Sequence, residues 1–132
     1  MTATVAAAAP RLPTPFGAIL RRAVDATPGA VGGAFAASDG ELVDSYTVWA
    51  HDDWAILTAH YGVVLGLMHS AFGTWHFGSP DWFVAEHGRL DVVVAAVDSG
   101  YYALLALGEP RAIGPALEAL EVASVELRRE MA

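Results

Sequence analysis

Residues 52–72, DDWAILTAHYGVVLGLMHSAF, decide how the rest of the chain is read. Asp52 and Asp53 place carboxylates where the free amides and positive dipole end of a helix favour them, and predict a helix running to about Phe72. Trp54, Leu57, Tyr61, Leu65, Met68 and Phe72 recur as one apolar stripe, while Ile56, Val63 and Leu67 lie well off it. One sheet face cannot cover both sets. Ala55, Ala59, Gly62, Gly66 and Gly73 form a third stripe of small residues, with Gly62 and Gly66 at GxxxG spacing. Glycine inside a soluble helix costs about 1 kcal/mol relative to alanine, so this pair asks for the close approach of another backbone. That backbone is expected to belong to a second subunit; the alternative is the sheet of the same chain.

Upstream, Thr14 followed by Pro15 is an N-cap with proline at the first helical position, and Phe16, Ile19, Leu20 and Ala23 follow at helical spacing. Thr27-Pro28-Gly29 stops that helix. Ala30–Ala37 and Leu42–Trp49, joined by Ser38-Asp39-Gly40-Glu41, predict a hairpin, and Gly32 and Gly33 leave room for a neighbouring helix to lie closely against it. Downstream, Trp82–Glu86, Leu90–Val97 and Tyr101–Leu107 predict a three-strand meander, and Gly114-Pro115 opens a last amphipathic helix. The order helix, two strands, helix, three strands, helix gives an α+β fold, mostly antiparallel, with helices on both faces. Around the third strand, Trp75, Phe77, Trp82 and Phe83 suggest either an edge covered by another chain or a loop cluster folded onto its own helix.

The chain has 132 residues, 55% hydrophobic and 17% charged, which fits one domain and excludes a disordered polymer. Residues 1–14, Ala/Thr/Pro with Arg11, are expected to form a disordered arm without the features of a secretion signal, ahead of one domain over 15–132. The net charge of -8 argues against a nucleic-acid partner. All seven cations are Arg, so there is no lysine for Schiff-base chemistry or a Walker A loop. Zero Cys removes disulfides and thiolate chemistry and fits the cytoplasm. Trp54 to Phe72 nearly reaches the length of a membrane span, but His60, His69, Thr58, Tyr61 and Ser70 interrupt it, and no span is expected.

Catalytic and metal signals are weak. His51, His60 and His69 are nine residues apart, so successive ones point to opposite sides of a helix and cannot share an ion. His76 and His87 fall in loops, GxSxG and GxGxxG are absent, and Asp81, Glu86, Asp91 and Asp98 read as solvated turn residues. No enzyme, metal or cofactor is expected.

Taken together, Pro28-Gly29-Ala30-Val31-Gly32-Gly33-Ala34-Phe35 with Ser38-Asp39-Gly40-Glu41-Leu42-Val43, then Leu90-Asp91-Val92-Val93-Val94 and Tyr101-Tyr102-Ala103-Leu104-Leu105-Ala106-Leu107 before a terminal helix, resemble the Roadblock/dynein light chain family. The similarity runs from Phe16 to Met131, and the family includes the bacterial polarity protein MglB and the Ragulator subunits. It implies a profilin-like five-stranded antiparallel sheet in the order α-ββ-α-βββ-α, with the middle helix on one face and the terminal helices on the other. It also implies a non-enzymatic, cytoplasmic homodimer, or a pair with a paralogous Roadblock chain, that binds a Ras-like small GTPase as activator or scaffold. The dimer is expected through Ala55, Ala59, Gly62, Gly66, Trp82 and Phe83. On the middle helix, Asp53, Thr58, His60 and His69 are the candidate GTPase contacts the resemblance implies. The alternative is a small-molecule-sensing or protein-interaction module on the same kind of sheet, since aromatic residues beside a sheet can line a pocket.

Overall fold

The structure, a computed structural model, describes residues 14–72, 78, 80–98 and 100–132. The arm before Thr14, and Gly73, Trp75, His76 and Phe77 of the connection after the middle helix, lie outside the described residues. Helix α1 spans Pro15–Asp25 and opens as its sequence dictates: the Thr14 hydroxyl accepts from the Gly17 amide at 3.0 Å, with Pro15 at the first position. It ends slightly before the predicted stop, with the Thr27 hydroxyl donating back to the Ala23 carbonyl at 2.8 Å. Gly29, at φ +79°, then turns the chain against the carbonyls of Gly108 and Glu109, which a Cβ would meet at 2.6 and 2.5 Å.

Strands β1 (Ala30–Ala37) and β2 (Leu42–Thr47) form the hairpin, and helix α2 follows over His51–Phe72. Strands β3 (Trp82–Glu86), β4 (Asp91–Asp98) and β5 (Tyr101–Leu107) form the meander, and helix α3 (Ile113–Met131) closes the fold. Strand β2 stops at Thr47 instead of reaching Trp49. The Thr47 hydroxyl there accepts from the Trp49 amide at 3.0 Å, bending the chain so that the Trp49 ring meets Trp54 edge-on at 5.7 Å. All neighbouring strands pair antiparallel in the order β2-β1-β5-β4-β3, leaving β2 and β3 as the edges.

The expected layers are present. Phe35, Val93, Val97, Leu105 and Leu107 face Ile19, Leu20, Leu120 and Leu127 from α1 and α3. Residues of opposite parity, including Ala34, Ala36, Val92, Val94 and Leu104, face Trp54, Tyr61 and Leu65 from α2. Thus the middle helix has one sheet face to itself.

Gly32 is where α2 touches down. A Cβ at this position would lie 2.8 Å from the Trp54 ring and 2.7 Å from the Thr47 hydroxyl, so the indole reaches the strand only because the side chain is missing. Gly32→Ala is expected to lower stability by about 1–3 kcal/mol through overpacking. Gly66→Ala, whose Cβ meets nothing within 4 Å among the described residues, should instead gain about 0.5–1 kcal/mol from helix propensity. Urea midpoints of the two variants check this contrast, and a Gly32→Ala midpoint equal to that of the parent would remove the close-approach account.

Candidate interaction surface

Helix α2 carries two apolar stripes with the same step pattern, two residues out of phase. Trp54, Thr58, Tyr61 and Leu65 recur at four, three and four residues and are all buried against the sheet. Ile56, His60, Val63 and Leu67 recur at the same steps and are all exposed, the three aliphatic side chains at 57%, 62% and 65%. A two-residue offset is about 200° on a helix, so one stripe faces the core and the other points away from it. The stretch from Asp52 to Phe72 is long and apolar enough to cross a bilayer, with a mean hydropathy of 1.4 over an 18-residue window. Its inner stripe, however, forms part of the domain core.

On the inner side the Thr58 and tyrosine polar groups are satisfied within the chain, whereas the buried Trp54 indole N–H has no hydrogen-bond partner among the described residues. The Thr58 hydroxyl donates to the Trp54 carbonyl at 2.9 Å, and the Tyr102 phenol donates to the Thr58 carbonyl at 2.7 Å. Burial, and then the charge of Asp39, push the Tyr102 phenol up to about 12. Tyr61 is hydrogen-bonded to the His87 imidazole, and burial raises its pKa as well.

That pair ties α2 to the turn between β3 and β4. From the other side Arg111 holds the same turn, donating to the carbonyls of His87 and Gly88 at 3.2 and 2.8 Å and pairing with buried Asp91 at 3.2 Å. Edge strand β3 is therefore fixed with respect to α2.

The candidate residues separate on this frame. Asp53 and His60 are exposed and share the outer stripe. His69 is exposed too, but lies nine residues beyond His60 and so on the opposite side of the helix. Thr58 is fully buried, so as a contact for a partner it is corrected: its hydroxyl and carbonyl serve the helix and Tyr102. Gly62 is corrected as well. A Cβ there would meet Gly40 Cα at 2.7 Å and the Tyr102 hydroxyl at 2.9 Å, so the close backbone belongs to the β1–β2 turn of the same chain. Ala59 lies on that flank, its Cα 3.4 Å from a Cβ built on Gly40. Ala55 and Gly66 are half-buried, and a Cβ on Gly66 would meet none of the described residues within 4 Å.

Trp82, 54% exposed, and Phe83 alternate across edge strand β3. Phe83 packs on Tyr61 beneath α2, with ring centroids 6.2 Å apart, whereas Trp82 lies on the α3 side of the sheet. The two aromatics flank the edge from opposite faces. The exposed apolar face of the helix is the outer aliphatic stripe and not the small one, and the sequence carried the signal as Ile56, Val63 and Leu67 off the main apolar line. An exposed apolar row of this kind marks an interaction surface. Among the described residues, no three or more His, Asp or Glu are grouped so as to hold a metal ion.

Because the folded Tyr102 phenol keeps its proton up to about pH 12 while the unfolded one ionises near 10.0, its contribution is full below pH 10 and is lost as pH rises through 12. Chemical denaturation across pH 9–12 should therefore show falling stability. Tyr102→Phe should flatten part of the fall, with Tyr61 supplying the remainder; an unchanged slope would contradict this assignment.

Neither a protein-family model nor a curated protein matches the sequence. Solved structures do match the fold. A Roadblock/LC7 domain from Streptomyces avermitilis superposes with a TM-score of 0.77 at 16% identity, covering 86% of this chain and 94% of that one. Myxococcus xanthus MglB gives 0.78 at 15% identity, covering 89% and 95%. Profilin II of Acanthamoeba castellanii, at 0.57 and 14% identity over 89% and 99%, shows the same general architecture. The chain has the fold of Roadblock/LC7 domains, as its sequence resemblance implied.

Proposed function

We propose that the protein is a non-catalytic dimeric regulator or scaffold that binds a Ras-like small GTPase in the cytoplasm. The observation that carries this reading is the outer stripe of α2: Ile56, Val63 and Leu67 are more than half exposed in a row, with no formal charge between Asp53 and the end of the helix. A second copy of the chain, or a paralogous one, covers that row and meets edge strand β3. Self-association suits a surface without charges because apolar burial needs no complementary partner pattern.

Asp53 and His60 lie beside the aliphatic side chains of the outer stripe, at the edge of the dimer contact, and His69 lies on the opposite side of the helix; these polar positions are the contacts for the GTPase. The Roadblock/LC7 fold shared with MglB supports the regulatory reading. None of the described arginines lies on α2, so any stimulation of hydrolysis would come from repositioning the GTPase's own residues, without an arginine finger from this helix.

Val63→Glu and Leu67→Glu replace solvent-facing side chains and are expected to leave the fold intact while converting dimer to monomer by light scattering. A dimer that survives both changes would move the interface off α2. Gly62→Leu is unsuited to that purpose because it would strike Gly40 of its own chain. For the partner, immobilised protein incubated with native lysate should retain a Ras-like GTPase with a non-hydrolysable GTP analogue and release it with GDP. Retention in neither state would remove the GTPase from the proposal.

A further inference from the structure

On the side of the sheet away from α2, a cavity of about 410 Å³ opens between α3 and the outer strands β3 and β4. Its size falls within the range of small-molecule sites. Leu117, Leu120 and Ala95 give it an apolar lining, and exposed Trp82 adds an aromatic wall.

Four polar residues, Asp81, Glu121, Ser124 and Arg128, also line this space. Ser124, only 5% exposed, is among the lining residues, and its own buried hydroxyl has no hydrogen-bond partner among the described residues. A buried hydroxyl in that condition lowers stability unless something meets it. Arg128 uses Nη1 to donate to the Val97 carbonyl at 2.9 Å; a guanidinium has five donors, and among the described residues it forms no ion pair. Asp81 supplies a carboxylate, and its backbone carbonyl accepts from the Ala96 amide at 2.9 Å.

The guanidinium of Arg128 is thus tethered to Val97 of β4 from the helix side, and the backbone of Asp81 is held to the neighbouring Ala96 from the strand side. A simple anion would face Asp81 and the nearby Glu121, and a simple cation would face Arg128. A small group bearing both charges answers both walls.

We propose that this cavity binds a free α-amino acid with an aromatic side chain. Its carboxylate sits on Arg128 and the Ser124 hydroxyl, its ammonium on Asp81, and its ring on Trp82 above the leucines. The site lies on the opposite face from the α2 surface, so its test is independent of the GTPase reading.

Calorimetric titration of the full chain with L-phenylalanine and L-tryptophan is expected to give saturable heats. Phenylacetate, phenethylamine and glycine, which lack the ammonium, the carboxylate and the ring respectively, should each bind at least tenfold more weakly. Ser124→Ala and Asp81→Asn should each weaken L-phenylalanine binding at least tenfold. Ser124→Ala should do so without lowering the melting temperature of the free protein, since its hydroxyl has no bond to lose. The proposal is overturned if neither amino acid gives a saturable heat at millimolar concentration, if both variants bind like the parent, or if phenylacetate or phenethylamine binds as tightly as L-phenylalanine.

Discussion

Trp54 reaches the sheet because Gly32 presents no side chain, and the orientation of α2 follows from that seat. With the indole against β1, the same helical step brings Thr58, Tyr61 and Leu65 down onto the strands. The periodicity that buries this row turns Ile56, Val63 and Leu67 outward. The exposed surface is thus a geometrical consequence of an internal contact, fixed before any partner is involved.

Polar interactions then remove the remaining freedom. Tyr102, rising from the centre of the sheet, grips the carbonyl of Thr58, and Tyr61 bonds to His87 at the β3–β4 turn. Arg111 holds that turn from the opposite side through buried Asp91 and two carbonyls. Hydrophobic contacts alone would allow α2 to slide along its groove, whereas hydrogen bonds at defined heights do not. The helix and the edge strand consequently present one rigid combined surface.

Much of this was legible in the sequence. The element order, the antiparallel pairing, the proline-capped first helix and the need for a close helix at Gly32 all rest on local chemistry or on strict periodicity, which survive into the fold with boundaries displaced by a residue or two. The double apolar character of α2 was visible for the same reason. What could not be read was which backbone Gly62 meets. Intervals along a helix give its flanks but not the neighbour on each, and the β1–β2 turn arrives at Gly62 only through the three-dimensional path of the hairpin. Thr58 failed as a surface candidate on similar grounds: a polar residue in an apolar helix is outward-facing or bonded internally, and the choice depends on its angular distance from Trp54 and Tyr61. That aromatic residues beside the sheet could line a pocket was legible, but the lining of the cavity beside Trp82 was not, because it joins α3 to strands far away along the chain.

The outer stripe has a consequence for the life of the chain before any partner is met. A helix with an 18-residue window of mean hydropathy 1.4 and an exposed aliphatic row competes for lipid and for chaperones from the moment of synthesis. Pairing with a second copy, as proposed, is second order in protein concentration, while loss to lipid or chaperones is first order in the free chain. The yield of usable protein is therefore set by how much is made, and how close together, as well as by how stable each molecule is. Dilute expression would penalise such a chain out of proportion to its folding free energy.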